Sequence, residues 1–485
     1  MHKAAIMSIA TCLTVVAAAT AAAGPLLTSA TALQDNGVPA DTALASTALA
    51  STGQVILRPD VIRLPLAPTG KPPSTRQCEQ VEGIACYTPA QLRSAYQLPP
   101  LYAKGVTGKG VTIMIVDPFG SPTIKADLAT FDQHFGYQPP PKFSVIAPVG
   151  QIPAFNPASS DMVSWAGETT LDVEYAHALA PGANILLVET PVSETEGITG
   201  FPQIVRAEQY ALAHDKVGVI SQSFSATEET FKGYAQLAPL RAAYVDAQRR
   251  QVTVLAASGD TGATDYQGNQ HSYYARRVTS WPDSDPLVTA VGGTQLRTAA
   301  RPGTGTWAAW NDTYNRAWNR YATGSADPDP AASGGGVSEY FARPSYQGSV
   351  AVVTGPHRGV PDIAMSAACD GSVEVYSSFP PGRPGWSLTC GTSEATPEFA
   401  AIVALADQVA GHPLGLINPV LYRLKAAAAP GIVDVTSGDN TVSFAAGAHR
   451  RWVKVSGYSA ASGYNLATGL GTVDAQRYVY ELAAG

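Results

Sequence analysis

"GETTLDVEYAHALAPGANILLVE", residues 167–189, changes periodicity halfway along. From Glu168 to Ala180 it has the pattern of a helix, and from Ala183 to Glu189 it returns to strand around the apolar run Ile185–Val188. A strand that is apolar on both sides belongs inside a parallel sheet, with helices above and below it. The alternation continues outward in both directions. "GVTIMIVD" (110–117) is a strand that ends in an acid. Downstream come "IVRAEQYALAHD", "VGVISQSFS", "LRAAYVDAQRR", "VTVLAASGD" and "LVTAVGGT", alternately helix and strand in pattern, and then the helix "EATPEFAAIVALADQVAG". Repeated units of this kind predict an α/β fold: a doubly wound, mostly parallel sheet with helices on both faces. Sites in such sheets lie beyond the carboxyl ends of the strands. Asp117, Ser225, Asp260 and Ser393 all fall at or just after such ends. Residues 297–336 interrupt the alternation and read as a long surface excursion.

The bulk composition agrees with a large folded core. Of 485 residues, 45% are hydrophobic and 14% charged, which excludes a disordered chain. A net charge of -7 with no long basic run excludes nucleic acid as a partner. Residues 1–23 have the form of a secretory signal: Lys3, an alanine-rich apolar stretch, then "AAAG". The expectation is a secreted, extracellular monomer with no membrane attachment once the signal is removed. Residues 24–76, rich in Ala, Thr, Pro and Ser, read as an unstructured leader or linker, and 77–485 as the folded domain. Thr88 is a candidate N-cap, with Pro89 at the first helical position. Cys12 leaves with the signal. The other four cysteines form two local pairs, Cys78/Cys86 and Cys369/Cys390, which in an oxidising compartment predict disulfides.

Ser393, in "TCGTSEATPEFAA" (389–401), can be read as a helix cap or as a nucleophile. The Gly-x-Ser-x-Gly elbow of lipases is absent. A histidine base needs partners, and no histidine lies in a His-Gly-Thr box. Only His177 falls on a helix bordering the site, and Asp117–His177–Ser393 is the rival triad. On the same helix Glu168 and Asp172 stand four residues apart, one turn from each other on one face. Two acids so placed repel unless they are solvated or share a proton.

Ordered motifs favour the second reading. "GETTLDVEYAHALAPGA", "VISQSFS", "ASGDTGA", "WPDSDPLVTAVGGT", "SGGGVSEYFARPSYQ", "RGVPDIAMSA", "CGTSEATPEFAA", "DVTSGDN" and "SGYNLATGLGTVD" occur in that order across residues 87–485. In this the sequence resembles the sedolisins, serine-carboxyl peptidases of subtilisin-like fold. The resemblance implies that Ser393 is the nucleophile, Glu168 its general base, Asp172 the acid that orients Glu168, and Asp260 the oxyanion-site residue. It implies an endopeptidase acting on protein or peptide substrates. A carboxylate base suits acid, where a histidine would already be protonated, and Asp260 must be neutral to donate to an oxyanion.

The resemblance also implies one structural calcium ion, held by Asp434, Val435, Ala461, Gly463 and Asn465. Asn465 replaces the family's usual Asp and Ala461 a glycine, so weaker binding is expected. A full-length family prodomain is not expected in the stretch before residue 77. An inactive binding protein on the same fold is the competing reading, and the Trp- and Tyr-bearing segment 307–321 raises a weaker one, carbohydrate binding.

Overall fold

The computed structural model describes residues 58–59, 62–65, 70–193, 200–268, 272–297, 306–379, 384–447 and 449–485. The proposed signal and most of the proposed leader lie outside the described residues.

Eight strands form the central sheet, in the spatial order 306–309, 289–297, 253–257, 219–222, 112–118, 184–190 and 143–146, with Ile363–Ser366 also pairing with Thr289–Arg297. Pairing is parallel throughout, apart from the edge strand Thr306–Ala309. The strand Thr112–Pro118 shows how the sheet is buried. Ile113 and Ile115 join one core with Ile185, Leu187, Leu171 and Phe399, whereas Met114 and Val116 join another with Leu186, Val188, Phe201 and Tyr244. Alternate residues point to opposite faces, and both faces are dry. On the first face lie the helices Ser160–Leu179, Thr392–Ala410 and Ala475–Ala483; on the second lie Gly200–His214 and Ala242–Arg249. The doubly wound α/β sheet read from the sequence is the observed architecture.

Thr88 caps the helix Pro89–Ala95 in a capping box with Gln91, as its sequence predicts. The cysteines pair as Cys78–Cys86 and Cys369–Cys390. The second bond ties the strand Gly385–Cys390 down three residues before Ser393.

Three readings change. The excursion at 297–336 is not all surface: Thr306–Ala309 extends the sheet, and Trp310 and Trp318 are buried in the core, whereas Tyr314 and Tyr321 are exposed. "VGVISQSFS" is two strands rather than one. Val219–Gln222 stays in the sheet, and Phe224–Thr227 leaves it to pair antiparallel with Ser280–Trp281. The boundary at 76/77 falls inside the helix Thr75–Val81, which Ser74 caps. Ahead of that helix, Arg58–Pro59 and Ile62–Pro65 pair as strands.

Candidate active site

Two helices from the same face of the sheet carry the residues in question, and they pack on each other. The acid helix, Ser160–Leu179, starts at the N-cap Ser159 and is buried from Glu168 onward, polar residues included. Glu168 and Asp172 have no exposed surface, so the pair is not a solvated face. Glu168 stands near enough to Asp172 to bear on its protonation. Two carboxyl groups buried side by side disfavour a second negative charge, so a proton on one of them is the favoured state. Burial first, and then the charge of Asp117, push the Asp172 carboxyl well above its usual range, while hydrogen bonds from Ser223 and Glu168 work against the shift.

Asp117, at the end of its strand, belongs to this group of acids. Its carboxyl is pushed up to about 7 by burial, offset by a hydrogen bond with Thr169 on the acid helix. Ser223 Oγ, at the break between strands 219–222 and 224–227, donates to Asp172 Oδ1 at 3.0 Å. The sequence offered Asp117 only as the acid of the rival histidine triad, and it gave Ser223 no role. Their position beyond strand carboxyl ends was the available signal.

The serine helix, Thr392–Ala410, follows Gly391, whose φ of 126° suits only glycine and whose N–H donates to the Ala367 carbonyl at 2.8 Å. Ser393 occupies its first turn, fully buried, and Ser393 Oγ has no hydrogen-bond partner among the described residues. The N-cap position is Gly391, and Ser393 Oγ bonds no backbone N–H of this terminus, so Ser393 is not serving as a cap. Pro397 stands four residues on and lacks the N–H that would bond the Ser393 carbonyl, which loosens the turn that carries the serine.

Asp260 reaches this turn from the loop after strand Thr253–Ala257. Its Oδ1 accepts from the Thr392 N–H at 2.7 Å and from Thr392 Oγ1 at 2.9 Å, and Thr392 Oγ1 in turn accepts from the Gly259 N–H at 3.1 Å. Asp260 is thereby fixed beside Ser393. The structure thus groups Glu168, Asp172 and Asp117 on one side, and Ser393 and Asp260 on the other, of two helices in contact.

His177 is committed elsewhere. Its Nε2 lies 3.0 Å from the Gln138 carbonyl and 3.2 Å from Asp132 Oδ1, nine positions along the acid helix from Glu168. At ~1.5 Å rise per residue that is over 13 Å away along the axis.

The residues expected to hold calcium do not fit that ion as they stand. Lys425 Nζ pairs with Asp434 Oδ1 and also donates to the Leu470 carbonyl at 2.9 Å. Asp434 Oδ2 accepts from Ser462 Oγ and the Gly463 N–H. Asn465 Oδ1 accepts from the Ala467 and Thr468 N–H groups at 3.1 and 2.9 Å, while its Nδ2 donates to the Ala461 carbonyl. One expected oxygen ligand therefore presents N–H instead, two are occupied by internal donors, and an ammonium supplies the positive charge. Val435 is buried beside them.

Comparison with known proteins places this geometry. Residues 159–447 match the model of the subtilase family, Peptidase_S8. Kumamolisin of Bacillus sp. (strain MN-32) is 33% identical over 395 residues, 80% of this chain and 62% of that protein. Sedolisin of Pseudomonas sp. (strain 101) is 27% identical over 78% of this chain and 59% of its own length. Tripeptidyl-peptidase 1 of Canis lupus familiaris is 29% identical, over 63% of this chain and 50% of its own. The chain thus spans about half to two thirds of these relatives. The structure of Pseudomonas sedolisin, a serine-carboxyl proteinase complexed with two molecules of pseudo-iodotyrostatin, superposes with a TM-score of 0.65 at 24% identity, over 83% of this chain and 99% of that one. By the family model, the relatives and the fold together, this chain belongs to the subtilase family, in its sedolisin branch.

Proposed function

We propose that this protein is a serine-carboxyl endopeptidase that works in acid, outside the cell, on protein or peptide substrates. The observation that carries the reading is the fully buried pair of acids Glu168 and Asp172, on a helix packed against the one that begins at Thr392–Ser393. Ser393 Oγ attacks the scissile carbonyl, and Glu168 takes its proton. Asp172, held by Ser223, orients Glu168 and keeps the proton within the pair. Asp260, in its neutral form, donates to the oxyanion of the tetrahedral intermediate. Glu168 then returns the proton to the leaving amine. Water hydrolyses the ester by the same route in reverse. Two disulfides support an oxidising, extracellular setting, and no helix among the described residues is long and apolar enough to cross a membrane.

The test is hydrolysis of acid-denatured protein by the wild type and by Ser393→Ala. Hydrolysis that falls at least ~1000-fold in the variant supports the reading. Wild type that cleaves nothing between pH ~3 and ~8, although folded, supports the inactive binding protein instead.

A further inference from the structure

From Val442 to Val455 the chain runs "VSFAAGAHRRWVKV", with no Asp or Glu, in a protein whose 38 acidic residues outnumber its 31 Lys and Arg. Its two ends are the strands Val442–Ala446 and Arg451–Val455, paired antiparallel as a hairpin. Val442, Phe444 and Val455 pack inward with Ala263 and Ala332. Alternate residues face opposite ways, so Ser443, Ala445, Trp452 and Lys454 point outward. Lys454 stands opposite Ser443, and Trp452 opposite Ala445, whose methyl group is too small to cover the indole ring. Trp452 is 50% exposed and Tyr314 49%. The Tyr314 hydroxyl lies 2.9 Å from Ser443 Oγ, which sets this second ring beside the rung that carries Lys454. Arg450 and Arg451 stand exposed where the turn meets the second strand. Asp327 pairs with Arg450 at 3.0 Å, but both partners are more than half exposed, and such a pair holds weakly.

A short cationic run on an otherwise acidic protein gathers polyanions locally. The two exposed rings narrow the choice. Their flat apolar faces suit sugar rings, while the cations pair with anionic substituents. A neutral glycan would leave the cations unused. Duplex nucleic acid keeps its bases stacked inside and would leave the rings unused. A lipid surface asks for a large apolar side chain at the tip, and the turn from Gly447 to Arg450 has no Trp, Tyr or Phe. Carboxylates take up protons near pH ~4, whereas sulfate esters stay charged there. This preference for sulfate rests on the acid working range proposed above.

We propose that the outward face of this hairpin, together with Tyr314, is a docking site for a sulfated polysaccharide. The surface adjoins the candidate active site. Ala263 lies three residues past Asp260, and its N–H donates at 3.1 Å to the carbonyl of Asn440, just ahead of the hairpin. Val442 Cγ1 lies against Gly262, so close that a Cβ there would stand 2.4 Å from it. The hairpin is thus the single layer between its outer face and the loop that carries Asp260. Proteins attached to a polymer held on that face meet the site at a raised effective concentration.

The experiment titrates the full chain with heparin at pH ~4, and in parallel with dextran, phosphatidylserine vesicles and duplex DNA. Wild type should bind heparin, more weakly as salt is raised, and should not bind dextran. Arg451→Gln with Lys454→Gln should weaken binding by at least ~5-fold, and Trp452→Ala by ~5- to 10-fold. These side chains are exposed, so the variants should melt as wild type does. Arg249→Gln with Arg250→Gln removes two exposed cations at the end of the helix Ala242–Arg249 and should leave binding unchanged. Heparin binding that is absent, that the hairpin variants leave intact, or that the Arg249/Arg250 variant weakens as much, overturns the proposal. Vesicles or DNA bound as tightly as heparin overturn it too. Hydrolysis of denatured casein is measured separately, and a chain that cleaves nothing yet binds heparin through this hairpin overturns the peptidase reading alone.

Discussion

Asp260 accepts two hydrogen bonds from Thr392 through a single oxygen, Oδ1, one from the backbone N–H at 2.7 Å and one from the hydroxyl at 2.9 Å. The direction of the second bond is settled by the Gly259 N–H, which donates to Thr392 Oγ1 and leaves the hydroxyl proton to point at Asp260. An oxygen that receives two donors is the poorer place for a proton. When Asp260 is neutral, the proton sits on Oδ2.

Asparagine reproduces that arrangement, with a carbonyl oxygen where Oδ1 lies and an N–H donor where Oδ2 lies. Asp260→Asn is therefore expected to keep most of the oxyanion stabilisation and to hold its donor at every pH. Asp260→Ala should lose ~10²–10³ in kcat. Steady-state kinetics at two pH values checks this, and equal losses in both variants would show that Asp260 acts otherwise than as a donor.

In the proposed reaction the acids on the other side set the upper limit of the working range. Burial and the Asp117 charge both raise the Asp172 carboxyl, so Asp117→Asn removes one of the two upward pushes. The shared proton should then leave at lower pH. The descending limb of kcat/KM against pH is expected to move toward acid by a measurable fraction of a unit, with KM little changed. His177→Ala should leave the profile in place, because His177 is bound to Asp132 and Gln138. A peak near pH 8 that His177→Ala abolishes would restore the histidine triad.

The sheet was legible because the middles of its strands, such as Ile113–Val116 and Ile185–Val188, are buried on both faces and so are apolar without a break. Spacing alone could not settle the acids. Glu168 and Asp172 stand at i,i+4 in a helix, but so do Glu394 and Glu398, and only the tertiary structure shows that both pairs are buried. An apparent single strand is broken at Ser223 because the chain changes partners there, from Thr253–Ala257 to Ser280–Trp281, a tertiary choice that its apolar pattern does not encode. Arg58–Pro59 and Ile62–Pro65 escaped notice because strands of two and four residues are too short to show a period. Lys425 was invisible as a partner because it lies on a different helix from the loop it neutralises.

Glu394 and Glu398 face into the core of the serine helix. Burial pushes both carboxyls well above their usual range; the charge of Glu398 adds to this at Glu394, while Ser366 at Glu394 and Tyr96 at Glu398 pull the other way. Burial likewise pushes Glu208, Glu374 and Asp407 up to about 8. In the unfolded chain such groups titrate near ~4. Between those limits the folded state holds more protons than the unfolded one, so stability is full below pH ~4 and falls as pH rises toward 8. The melting temperature should be higher at pH 4 than at pH 7 by more than ~5 °C. Glu398→Gln, neutral at any pH, should raise it at pH 7 and leave it nearly unchanged at pH 4. Calorimetry at the two pH values decides, and a melting temperature that rises from pH 4 to 7 would contradict the argument.

The loop around Asp434 gives the last prediction. A cation bound only to the folded state raises its stability by mass action. Here the Asp434 carboxylate is already compensated by Lys425, and Asn465 turns its N–H, not its oxygen, toward the Ala461 carbonyl. Calcium would have to displace an ammonium and break the bonds that Asn465 makes to the Ala467 and Thr468 N–H groups. Millimolar calcium and chelator are both expected to leave wild-type melting unchanged. Lys425→Met removes the ammonium, exposes the acid's charge, and should lower the melting temperature. Lys425→Met with Asn465→Asp restores two carboxylates and an oxygen-only set, which suits a hard divalent ion. That double variant should recover stability when calcium is added and lose it again to chelator. If chelator lowers the melting temperature of the wild type, a metal ion is bound there after all, and Lys425 only borders its site.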